Sequence, residues 1–250
     1  MTKAKKIFFY DTKLYQEVKL RKLIFLFLFV GLYASNGQGG VAFTIGVPQG
    51  EFRENVDRLG YGISGHLAYQ PNPFFAVGGA LGVITYGNQV RHEPFSYTIP
   101  DVMVKVTTTN SFMFGHILMQ IGIPMGYVRP YAEGRFGFNY LWTETKIEDI
   151  DDEENEIASS TNFSDATFCY GFGGGLMIKV YETPKKKKSK QDSDVSKLYV
   201  DLKAIYSYGG EAEYLKEGSI ECGAEGQVTY DVSKSKTDLL TVNVGVAFEF

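Results

Sequence analysis

A chain of 250 residues with 28 glycines, 17 tyrosines and 19 phenylalanines suits short strands and tight turns, not a helical bundle. Its net formal charge of −4 and its ordinary complexity exclude a nucleic-acid partner from the expected ones. The two cysteines and three histidines fall at no metal-type spacing, so neither a metal nor a cofactor is expected.

The first element is a leader. Seven basic and two acidic residues occupy positions 1–37, followed within that span by the apolar run Leu23–Ala34 and then the small polar stretch "SNGQGG". Basic, apolar, small is the order of a secretory signal peptide. The run of 12 residues falls short of the roughly 20 that a membrane-spanning helix needs. Ser35 and Gly37 set the expected cut after Gly37, which leaves 38–250 as one domain. That remainder is more acidic, at −9 against −4 for the whole chain.

Eight runs of hydrophobic period two follow. Val41, Phe43, Ile45 and Val47 form the first, Tyr61, Ile63, Leu67 and Tyr69 the second, and Phe75, Val77, Leu81 and Val83 the third. The fourth, "TTTNSFMFGHILMQIG", is apolar on both faces and has the least certain register. In the fifth, Phe136, Phe138, Tyr140 and Trp142 oppose Glu133, Arg135 and Asn139. In the sixth, Phe168, Tyr170, Phe172, Leu176 and Ile178 oppose Cys169 and several glycines. In the seventh, Leu198, Val200, Leu202 and Tyr206 oppose Asp201 and Lys203. The last is "LLTVNVGVAFEF", with Leu240, Val242, Val244, Val246, Phe248 and Phe250 on one face and Glu249 on the other.

Alternation alone suits a soluble barrel as well as a membrane one. The polar face decides, because its mid-strand charges Glu133, Arg135, Asp201, Lys203 and Glu249 are mixed with glycine. Balanced charges beside small residues fit a narrow lumen, where unpaired charge is costly. The expected fold is therefore all-β, an eight-stranded antiparallel up-and-down transmembrane β-barrel. With both ends of the barrel in the periplasm, Tyr61, Tyr140, Trp142, Phe168, Tyr170, Tyr206 and Tyr208 fall near the outer rim. Tyr69, Phe75, Phe248 and Phe250 fall near the inner rim, so the aromatics make two interface belts. Outer loops are expected at 48–59, 87–105, 144–164 and 210–237, and inner turns at 71–73, 124–130 and 183–197.

An export signal, eight such runs and the terminal "VNVGVAFEF" together resemble a small bacterial outer-membrane β-barrel protein of the OmpA- and OmpX-type group. The resemblance implies outer-membrane lipid and the barrel-assembly machinery as partners. It implies that Val244, Val246, Phe248 and Phe250 serve as the assembly signal.

Other chemistry is weaker. His66 shares a lumen face with Ser64, and His92 lies beside Glu93, but neither has the third partner of a triad; His116 is the remaining histidine. "EDIDDEENE" (148–156) reads as a solvated acidic loop and "KKKKSK" (185–190) as a solvated turn. Cys169 and Cys222 are expected too far apart to form a disulfide. The function expected is a structural or surface-interaction role with a side-chain-filled lumen and no enzymatic activity. The alternatives are a barrel enzyme acting on lipid or peptide through His66 or His92, and a soluble secreted ligand carrier.

Overall fold

The computed structural model of the protein describes residues 36–96, 99–149, 156–183, 196–222 and 228–250. The expected signal segment as far as residue 35, most of the expected acidic loop and the expected lysine-rich turn lie outside the described residues. The barrel strands in chain order are β1 (Gly37–Pro48), β2 (Gly60–Asn72), β3 (Phe75–Ser96), β4 (Ile99–Gly122), β5 (Val128–Asp149), β6 (Glu156–Glu182) and β7 (Lys197–Gly209). A short helix, α1 (Gly50–Asn55), stands between β1 and β2. After β7 come a hairpin, β8 (Glu211–Cys222) and β9 (Val228–Lys236), and the closing strand β10 (Leu239–Glu249).

Eight of these strands form one closed antiparallel ring in the order β1-β10-β7-β6-β5-β4-β3-β2, while β8 and β9 pair only with each other. The ring closes where the last strand meets the first, from Gln38↔Glu249 to Pro48↔Leu239. One residue further, Gly37 and Phe250 exchange backbone hydrogen bonds of 3.2 and 3.0 Å.

Side-chain period two sorts the barrel's faces. Phe136 is 58% exposed, Val244 50% and Leu202 36%, whereas Arg135 and Lys203 are 6% and 5% exposed. The barrel is inside out relative to a soluble one, with apolar side chains outward and charge inward. The ambiguous fourth run resolves as β4 with Ile117, Met119 and Ile121 exposed and Phe112, Phe114, His116, Leu118 and Gln120 buried. Glycine lets strands approach where a side chain would not fit: a Cβ on Gly137 would collide with the Gly115 carbonyl across the β4–β5 ladder.

The expected loops differ most from the structure. Residues 87–105 and 144–164 are largely strand, because β3 to β6 run for 22, 24, 22 and 27 residues instead of about ten. β2 stops pairing with β3 at Tyr61↔Thr85, and β7 stops pairing with β6 at Cys169↔Gly209. Beyond those rungs β3–β6 continue as a four-stranded flange, with pairing as far as Ser96↔Ile99 and Val104↔Asp149. The other half of this rim carries α1 and the β8–β9 hairpin, which cross the barrel mouth. We call this the lid end, and the opposite rim the turn end.

Candidate functional site

The lumen is stratified from the lid end to the turn end. At the lid end Phe52 of α1 and Tyr214 of β8 pack on Tyr86, Phe112, Leu141 and Leu239 of the barrel. Phe52 is 1% exposed and stands edge-on to Tyr214, ring centroids 5.2 Å apart. The Tyr214 hydroxyl meets Ser235 Oγ at 2.8 Å, and burial holds its phenol above the ordinary pKa range.

Below this apolar layer the side chains are neutral and polar. Thr44 and Ser64 lie 2.8 and 3.1 Å from Asn243 Oδ1, and Thr143 donates to Asn110 Oδ1 at 2.7 Å. Cys169 donates to Asn139 Oδ1 at 3.1 Å and has His116 Nε2 at 3.0 Å. The His116 ring stacks on Phe114. Cys169 is thus a buried free thiol, and the Cys222 side chain lies outside the described residues.

Next comes the charged layer. Arg135 Nε pairs with Glu133 Oε1, and Gln120 donates to Glu133 Oε2 at 2.7 Å. Lys203 Nζ is 3.3 Å from Asp201 Oδ2 and 3.4 Å from His66 Nδ1. Tyr131 donates to Asp201 Oδ1 at 2.7 Å. Each buried charge therefore faces an opposite charge, and Glu133, Asp201 and Lys203 each have a further polar partner, the condition under which burial is tolerated. Gly40 leaves room for this packing, since a Cβ there would lie 2.5 Å from His66 Cε1.

Of the five inward charges named from the sequence, four meet in this layer and Glu249 does not. Glu249 heads a second cluster at the turn end, where Arg129 and Lys197 each reach its carboxylate at 2.8 Å. Tyr199 donates to the same carboxylate at 3.1 Å, and the Arg129 guanidinium lies 5.0 Å from the Tyr199 ring centre. A chain of amides links this end to the charged layer. Gln70 donates to Gln38 at 2.8 Å, Gln38 to Gln120 at 3.2 Å, and Gln120 to Glu133. An open recess at this rim is lined by Gln38, Gln120, Arg129, Tyr131 and Glu249.

Arg129, Lys197, Gln38 and Gln120 are among the lumen residues that sequence reasoning missed. Tyr131 and Tyr199 fell on the polar face of the alternation, which was the available signal for them. The pairing of His66 with Ser64 does not form, because Ser64 bonds Thr44 and Asn243 while His66 faces Lys203. His92 is exposed on the flange. Among the described residues no group of three or more His, Cys, Asp or Glu is arranged to hold a metal. The expected assembly residues lie on β10 and, for Phe250, one residue beyond it: Val244 and Val246 point outward, and the Phe248 and Phe250 rings are 6.0 Å apart.

No protein-family model and no curated protein sequence matches this chain. Solved structures do. Ail, the attachment invasion locus protein of Yersinia pestis, solved in complex with the heparin analogue sucrose octasulfate, matches at 14% identity and TM-score 0.39, over 86% of this chain and 97% of its own. Neisserial surface protein A matches at 13% and 0.41, over 86% and 96%. A major outer membrane protein from Thermus thermophilus matches at 11% and 0.41, over 86% and 99%.

Proposed function

We propose that the chain is an integral outer-membrane β-barrel protein with a structural or surface-interaction role, its lumen filled by side chains instead of forming an open pore. The observation that carries this reading is the inverted polarity. Outward positions of the barrel are apolar or glycine, for example Phe168, Tyr170, Phe172, Gly174, Leu176, Ile178 and Val180 on β6. A soluble molecule does not expose so large a continuous apolar surface. From Phe168 to Val180 the strand rises about 30 Å at ~3.3 Å per residue and a tilt of about 40°, close to the ~25 Å band of an outer-membrane barrel. No helix among the described residues is long and apolar enough to cross a membrane.

In this reading both barrel termini face the periplasm and the long hairpins face outward. Residues 1–37 direct export. Val244, Val246, Phe248 and Phe250 present the closing strand to the barrel-assembly machinery. The four-charge layer and the Glu249 cluster block the lumen, as expected where eight strands leave space only for side chains. We assign no catalytic role to His66 or His92, so substituting either leaves lipid A and peptide turnover by cell envelopes unchanged. A soluble carrier would need the apolar face inside, where Arg135 and Lys203 stand.

Two measurements test the reading. The protein stays in the membrane pellet until detergent is added, and it changes gel mobility when boiled in detergent. Release into the soluble fraction without detergent overturns the proposal.

A further inference from the structure

α1 and the β8–β9 hairpin come from opposite parts of the sequence yet clasp each other. Arg58, just after α1, pairs with Glu217 of β8 at 2.7 Å, and Lys236 N donates to Glu51 Oε2 at 3.1 Å. With the edge-on contact of Phe52 and Tyr214 they make one unit over the mouth. The unit rests on the barrel through apolar contacts, Phe52 lying 5.8 Å from Tyr86 and 6.2 Å from Phe112 by ring centroids. Among the described residues, Glu213 N donates to Asp165 Oδ2 of the flange at 2.8 Å, and at the root of the hairpin Gly210 N donates to the Phe168 carbonyl at 2.9 Å. The ion pairs seen in this unit among the described residues are internal to it. Separating it from the barrel therefore strands no buried charge, which is the costly event in opening a packed interior.

The hairpin turns over the mouth at Gly209 and Gly210. A Cβ at Gly209 would collide with Thr237, and one at Gly210 with Thr167. Two glycines side by side permit both the tight crossing and a change of backbone angle there. Asp238 braces the base, its carboxylate accepting from Gly209 N at 3.0 Å and its carbonyl from Gln49 N at 2.9 Å. Immediately beneath this elbow is Cys169, the residue paired with Gly209.

We propose that α1 and the β8–β9 hairpin form a lid, hinged at Gly209–Gly210, that seals this end of the lumen and lifts as one piece to open it. This inference rests on the closed barrel and not on its placement in a membrane. The native Cys169 thiol reports on it. In a Cys222→Ser background, the folded protein in detergent is exposed to a small water-soluble thiol reagent and the rate of labelling is followed by mass. Two lid variants are compared with it: Phe52→Glu, and replacement of residues 211–236 by a short Gly-Ser turn. Heat-modifiable gel migration checks that each is folded, so that failure of one to fold leaves the other as the test. Labelling is expected to be slow in the reference and about tenfold or more faster in the lid variants, as for any site protected by local closure. A folded variant that labels at the reference rate overturns the lid, and so does a reference that already labels as fast as the unfolded chain.

Discussion

Glu133 and Arg135 lie two residues apart on β5, so strand geometry aims both into the lumen and lets them meet there. Removing one partner leaves the other charge buried and unpaired. Glu133→Gln is therefore expected to destabilise the folded barrel by about 3–5 kcal/mol, while Glu133→Gln with Arg135→Gln together costs less than the sum of the single changes. Urea titration of the protein refolded in lipid vesicles measures both. On the opposite face, Leu176→Arg, beside the midpoint of the Phe168–Val180 band, is expected to cost about 2–4 kcal/mol if a bilayer surrounds it, and an arginine at Val180 near the rim about 0–1 kcal/mol. Equal costs at the two positions would count against a bilayer around this face. At this scale the alternation made Glu133, Arg135, Asp201 and Lys203 legible as inward charges. It was silent on who pairs with whom, because Asp201 and Lys203 reach Tyr131 and His66 across strands far apart in sequence.

Among the elements, β5 offers a controlled comparison. Gly137 has no room for a Cβ because of the Gly115 carbonyl, whereas nothing lies within 4 Å of a Cβ on Gly134. Gly137→Ala is expected to destabilise by more than about 1 kcal/mol and Gly134→Ala to stay within about 0.5 kcal/mol, read from the same urea titrations. The closing strand makes a separate prediction. Deleting Phe250 removes its ring and the two hydrogen bonds with Gly37. Folded barrel in the membrane fraction is then expected to fall sharply, while protein refolded in detergent loses only about 1–2 kcal/mol. An equal loss in both settings would mean that the residue serves stability and not assembly. The barrel parts of the strands were readable because an apolar outward face backed by a polar inward one enforces a strict period of two. The flange was not. In "EIASSTNFSD" neither face must be greasy, so the segment reads as loop although β5 pairs along it.

For the molecule as a whole, the two proposals place two obstacles in series, the apolar lid and the charged layer beneath it. Lifting or deleting the lid alone leaves Glu133–Arg135 and Asp201–Lys203 across the lumen. Single-channel recording of the 211–236 replacement is therefore expected to show no large steady conductance, even though Cys169 becomes reactive. A wide, stable pore in that variant would show that the charged layer does not span the lumen. This also separates the lid from the reading of the protein as a filled barrel, since each is tested by a different signal.

What the amino-acid sequence determined by itself is the local pattern: which residues of each strand share a face, that the two faces differ in polarity, and that the chain closes on an apolar-aromatic strand. These follow from a period of two that each segment carries without reference to any other. Only the tertiary structure decided that four strands rise into a flange, that Glu249 joins Arg129 and Lys197 and not the central layer, and that Phe52 and Tyr214 meet over the mouth. Those contacts join residues tens to more than a hundred positions apart. Their partners exist only once the ring has closed and its curvature has set which side chains converge.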